Sequence, residues 1–193
     1  MRTMRYGFFG EDRGQRAFLA AYLLQRSAES EVAFEAVDYF GKRFGPMNNK
    51  VVDRRCGDAC RDAFFLEYPL LDCLFIGRDV DSFDPRYLER RTADLLTKVP
   101  AQWQGRTLLL LPVQCIEHWL LYLAQYPDRK PVELKPNDQT KKLVYANKTR
   151  SHEAIITELL LTLVPQRISW LAEVSDSFRV FHLRVNQYLD ALV

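Results

Sequence analysis

Acidic residues gather at two places where this chain passes from an apolar run into a polar one. Glu11 and Asp12 follow "MRYGFFG", and Asp79, Asp81 and Asp84 follow "LLDCLFIG". Carboxylates held a few ångströms apart repel one another, and their pKa values rise unless something neutralises them. A hard divalent cation such as Mg²⁺ does this well. It takes oxygen ligands, often only one or two protein carboxylates, and keeps water positions open for a phosphate. Asp79 and Asp81 flank Val80 and fall on one side of the chain if it stays extended there. Asp84, directly before Pro85, reads instead as the cap of a helix.

The flanking segments say how these acids are held. "MRYGFFG" reads as a first strand, and the apolar spacing of Ala17, Ala20, Ala21 and Leu24, widened by Phe18 and Tyr22, predicts a helix that Asp12 caps. "EVAFEAVDYF" alternates as a second strand. "GKRFGPMNNK" is a basic, glycine- and proline-containing loop. "VVDRRCGDACRDAFFLE" predicts a helix despite Gly57, and "LLDCLFIG" a strand buried on both faces. A helix starts at Pro85, "RTLLLLPVQ" is a fourth strand, and "CIEHWLLYLAQY" a fourth helix. Strand and helix thus alternate four times through residue 126. That pattern predicts an α/β, Rossmann-like domain with a mostly parallel four-stranded sheet and helices on both faces. In such a sheet ligands bind beyond the carboxyl ends of the strands, where the acids lie. From residue 127 to 193 the sequence predicts a basic loop, containing Lys141, Lys142 and Lys148, followed by a C-terminal helical extension packing on the 1–126 core.

The 27 Lys and Arg against 25 Asp and Glu leave a net charge of +2, so no global field draws the chain to polyanions. Any phosphate site must be local. The longest apolar run falls far short of the roughly 20 residues that span a bilayer, and no charged and apolar leader opens the chain, which predicts a cytosolic protein with no membrane partner. Cys56, Cys60, Cys73 and Cys115 lack a metal-finger spacing and read as reduced thiols in or near the core. His118, His152 and His182 form no catalytic arrangement, and Trp103 and Trp119 read as core residues.

Glutamate after strand one, Asp-x-Asp after strand three and four β/α units resemble the TOPRIM domain, a metal-binding phosphoryl-transfer module. "VQCIEHWLLYLA" and "SDSFRVFHLRV" resemble segments of small stand-alone bacterial TOPRIM-like proteins, the relatives of overcoming-lysogenization-defect and RloB-like nucleases. The resemblance implies a Mg²⁺- or Mn²⁺-dependent nuclease of a bacterial defence system. Glu11 would be a metal ligand or general base, Asp79 and Asp81 metal ligands, Glu117 a ligand to a second cation, and Lys148, with Lys141, Lys142, Arg13 or Arg16, the positive charge facing the phosphates; by its position alone Glu117 reads equally as an exposed acid near a helix terminus. Implied partners are DNA or RNA as substrate, an ATPase protein and a second copy of the chain. Two positions depart from the pattern: Asp12 stands where many relatives have glycine, and Gln114 stands where proline is expected.

The rival reading is a non-catalytic binding or regulatory subunit with the same fold, acting beside an ATPase. The missing glycine and the near-neutral charge favour it. A dinucleotide enzyme is disfavoured, because "FFGEDRGQ" lacks G-x-G-x-x-G and sets carboxylates where a pyrophosphate would sit.

Overall fold

The computed structural model describes residues 2–37, 44, 47–66, 70–130, 132–146 and 149–192. The end of the expected second strand, half of the loop after it, and Lys148 lie outside the described residues. Four strands, β1 (Arg2–Gly10), β2 (Val32–Ala36), β3 (Cys73–Gly77) and β4 (Thr107–Leu110), pair in the order β2-β1-β3-β4. All three pairings are parallel. This is the expected α/β fold, and it makes β1 and β3 neighbours, with Gly10 opposite Gly77. Glu11 and Asp79 therefore leave the same edge of the sheet.

Strand periodicity divides the core. Met4, Tyr6, Phe8, Cys73, Phe75, Leu108 and Leu110 face one side, against α1 (Arg13–Glu29), α5 (Ile116–Ala124), α8 (Pro165–Val174) and α9 (Asp176–Asp190). Phe9, Leu74 and Ile76 face the other, against α2 (Asn49–Arg61) and α3 (Pro85–Leu96). Each such side chain contributes about 1.5–3 kcal/mol by leaving water. Trp119 lies at the centre of an aromatic cluster with Phe18, Phe178 and Phe181 and is a core residue, whereas Trp103 is partly buried and packs on Phe64 at the edge of the core. The four cysteines are free and buried.

α2 runs through Gly57 and ends in a π-helical turn, Asp62–Leu66. Glycine is required there by packing, since a Cβ would stand 2.6 Å from the Lys98 carbonyl oxygen. A short helix, α4 (Ala101–Gln104), precedes β4. β4 is shorter than the sequence implied: Leu111–Gln114 leave the sheet and run beside the turn after β3. Arg78, Val80 and Asp81 donate their N–H groups to the carbonyls of Leu110, Pro112 and Gln114 at 3.1, 3.0 and 3.3 Å.

The expected basic loop contains a helix, α6 (Asn137–Val144), which buries Thr140 and Val144. α7 (His152–Leu161) and α8 follow as separate helices bent 105° apart, with Pro165 in the first turn of α8. Among the described residues no single helix is long and apolar enough to cross a membrane. The "SDSF" segment is structural. Ser175 caps α9 by accepting the Phe178 N–H, both serines donate to Glu133, and Ser177 accepts the Trp119 indole N–H.

Candidate functional site

The site is built where β1 and β3 end side by side. Asp12 caps α1 by accepting from the Gly14 N–H, which accounts for an acid at this position. One residue earlier, Glu11 accepts the main-chain N–H of Asp79 at 3.1 Å, so the two strand ends are tied through a carboxylate. The fully buried Gln15 of α1 reaches across and donates its amide to Asp79 Oδ1 at 2.7 Å. Gly77 makes room for this contact, because a Cβ there would overlap the Gln15 side chain and the Phe8 ring.

Asp79 is the centre of the negative charge. Loss of hydration, followed by the nearby Glu11, Asp12 and Glu117, holds its carboxyl well above the usual aspartate range. Glu11 and Asp12 are also raised, each mainly by burial. Among the described residues Asp79 forms no ion pair, and its side-chain donor is the neutral Gln15 amide.

Asp81 does not turn to Asp79, although its charge helps to raise Glu11. The expectation that it shares a side with Asp79 assumed an extended chain, but Asp81 adopts a left-handed backbone with φ 58°. Its exposed carboxylate turns to Asn49 at 2.8 Å and to Arg78 at 3.3 Å. Arg78 is buried and straps the turn to the helices around it. It donates to the Asp79 carbonyl and pairs with Asp53 of α2 at 2.9 Å, while Arg91 of α3 reaches the same Asp53 at 3.1 Å. The left-handed backbone gives a direct check. Asp81→Asn keeps the turn, because asparagine tolerates that conformation, whereas Asp81→Val costs about 1–2 kcal/mol in urea unfolding.

Glu117, in the first turn of α5, is buried rather than an exposed helical acid. Tyr145 donates to its Oε1 at 3.2 Å, Lys141 Nζ stands 4.0 Å from the same oxygen, and Oε2 has no hydrogen-bond partner. The adjoining Cys115 thiol is pushed up by burial and by Glu117, which keeps it a thiol.

Of the basic residues, Lys141 reaches the acids: although burial opposes its charge, Glu117, Cys115, Asp79 and Asp12 raise its pKa. Lys142 pairs with Asp138 at 3.8 Å. Arg13 and Arg16 line a cleft with Glu11 and Asp12, and the Arg16 guanidinium lies 5.6 Å from the Phe8 ring centre. Asp84 caps α3, as expected.

The histidines stay outside this group: His118 is buried against the Lys135 carbonyl and Thr140, His182 bonds Tyr22, and His152 stacks on Tyr145. Sequence reasoning missed Gln15, Arg78 and Tyr145. For Gln15 there was a signal, a polar residue on the apolar stripe of α1. Gln114, in the place of the expected proline, donates to the carbonyls of Glu133 and Lys135 at 2.8 and 2.7 Å.

Among the described residues no group of three or more His, Cys, Asp or Glu side chains could hold a metal ion. The residues present still fit Mg²⁺, which binds through one or two carboxylates and retains several waters. Glu11 and Asp79 would supply that pair, and among the described residues no cation is bonded to Asp79. Comparison with family models, with curated proteins and with solved structures finds no match for this chain.

Proposed function

We propose that this chain is a TOPRIM-like, divalent-cation-dependent enzyme acting on phosphodiesters, with nucleic acid as substrate. The observation that carries the reading is Asp79. Its carboxyl is desolvated, faces Glu11, Asp12 and Glu117, and is held by a neutral donor at the carboxyl edge of a parallel sheet. A protein keeps such an arrangement at a cost in stability, and functional sites are where perturbed carboxyls concentrate.

Glu11 and Asp79 would hold Mg²⁺ or Mn²⁺, which supplies Lewis-acid polarisation of a phosphoryl oxygen and offsets charge on the leaving oxygen. Gln15 and Arg78 orient Asp79, one through its side chain and one through its carbonyl. Lys141 offsets the charge of Glu117 and Asp12. Arg13 and Arg16 offer positive charge to flanking phosphates along the cleft that contains Glu11. Glu11, its carboxyl raised by burial, would serve as the general base where it does not ligate the cation.

The reading predicts cleavage of single- or double-stranded DNA or RNA with Mg²⁺ or Mn²⁺, and a loss of about 100-fold or more in Glu11→Gln, the scale of general-base removal. Cleavage unchanged in Glu11→Gln would remove that residue from the mechanism.

The pairing of Asp81 with Arg78 and Asn49 favours a second reading, in which the chain binds without catalysis beside an ATPase partner. In that case the protein binds the cation or a nucleotide but cleaves nothing on its own.

A further inference from the structure

A cavity of about 400 Å³ lies between the start of α1, the start of α5 and the first turns of α7. Asp12, Arg13 and Ala17 line it, and the same three residues line the cleft of about 520 Å³ that contains Glu11. The two hollows therefore adjoin across the first turn of α1, and a ligand lying over Arg13 reaches both. The cavity wall carries a preformed ring stack. His152 lies on Tyr145 with 3.9 Å between ring centres and 14° between planes. The Tyr145 hydroxyl donates to Glu117, which fixes the supporting ring. His152 is exposed, so Tyr145 covers one of its faces and the other is open to a further planar ring. Ala17 and Ile156 add apolar surface to the same cavity. Charge decides which part of a nucleotide belongs here. Asp12, Glu117 and Glu153 stand against Arg13 in this wall, which suits a neutral base and repels a phosphate. Phosphates belong in the adjoining cleft, where Arg13 and Arg16 stand beside the cation that Glu11 would hold.

We propose that the cavity holds one unpaired nucleobase of the substrate, stacked on His152, and that the chain acts on single strands or unpaired strand ends rather than on continuous duplex. The proposal rests on the phosphodiester reading, but the stacking itself needs no cation. The preference for single strands follows from magnitudes. One base stacked on an aromatic side chain strengthens binding by about 5- to 150-fold. Turning a base out of an intact duplex forfeits its own stacking and pairing, a loss of similar or larger size. A duplex that stays paired therefore gains nothing from the cavity. Stacking uses the face that every base possesses, so the subsite is indifferent to sequence.

The test is a fluorescence-anisotropy titration in EDTA at physiological salt with three labelled ligands: a short oligothymidylate, the same sugar and phosphate backbone without bases, and a fully paired hairpin of adenosine and thymidine. The wild type is expected to bind the oligothymidylate about tenfold tighter than the baseless strand, inside the range for one stacked base, and the hairpin more weakly than the oligothymidylate. His152→Ala, a change at an exposed position, binds the two single strands alike, with its affinity for the baseless strand unaltered. His152→Phe keeps a ring on Tyr145 and keeps the preference.

Equal binding of the strands with and without bases by the wild type, binding of neither, or a hairpin bound as tightly as the single strand overturns the proposal. So does a preference that survives His152→Ala, which places the stacked base elsewhere. Asp79→Asn separates this inference from the cation reading: the preference in EDTA persists in that variant, whatever becomes of cation binding and cleavage. Mg²⁺-dependent cleavage by a wild type that shows no base preference refutes the subsite alone, and a base preference without any such cleavage refutes the cation reading alone.

Discussion

Asp79→Asn is expected to raise the melting temperature of the cation-free protein at neutral pH while abolishing Mg²⁺ binding and cleavage. The Asp79 carboxyl is raised well above its ordinary value of 3.8 by loss of hydration and by Glu11, Asp12 and Glu117. A carboxyl raised on folding contributes stability that is fully present below the unfolded pKa and lost as pH rises through the folded one. Glu11 and Asp12 shift in the same direction. The cation-free protein should therefore lose stability on going from mildly acidic to neutral pH through the raised values.

Asparagine keeps the shape and the bond to Gln15 but carries no charge to desolvate. The relief is roughly 1–3 kcal/mol, the scale of a desolvation penalty, or about 2–4 °C per kcal/mol in a chain of this size. Saturating Mg²⁺ should reverse the order, because only the wild type binds it and gains about 2.7 kcal/mol at a hundredfold excess over Kd. Scanning calorimetry of both proteins, with Mg²⁺ and with EDTA, reads all four values. A variant that melts lower than the wild type in EDTA would show that Asp79 is a structural residue.

Arg78→Met should give the largest loss of stability of any substitution at the site. Arg78 is 6% exposed and holds Asp53, the Asp79 carbonyl and Asp81 at once. Removing one member of a buried charge pair costs about 3–5 kcal/mol, and the part-exposed Asp53 and Asp81 lower that figure because water reaches them once Arg78 is gone. Arg91 and Lys98 remain on Asp53, at its carboxylate and its carbonyl, and soften the loss toward the lower figure. Arg78→Lys should rescue little, since an ammonium cannot reproduce the two-nitrogen grip on Asp53. Urea unfolding measures the cost, and cation titration of the folded fraction should show weaker binding, because the turn carrying Asp79 is no longer strapped. A cost below about 1 kcal/mol, the worth of an exposed ion pair, would contradict the strapping role.

The sheet was legible because its strands are apolar runs with clear ends: "LLDCLFIG" could only be a strand buried on both faces. Their neighbour order was not, since it depends on where the crossovers place each strand, and the meeting of Glu11 with Asp79 follows from that order. α6 was missed because "NDQTKKLV" is short and polar and buries two side chains on one face. Its signal was the placing of Asp138 early and Lys141 and Lys142 late, which suits the helix dipole. Asp81 was misplaced because a left-handed backbone at a non-glycine residue leaves no trace in composition. Glu117 was read as an exposed acid or a metal ligand with equal weight; only the packing of Tyr145 and Lys141 over α5 shows that it is buried with one oxygen unmet.

The central claim is that Glu11 and Asp79 form a divalent-cation site. Calorimetric titration of Mg²⁺ and Mn²⁺ into the wild-type protein, beside Asp79→Asn, tests it most directly. The account predicts saturable binding by the wild type and none by the variant. Equal binding by both, or none by the wild type with nucleic acid present, would contradict it.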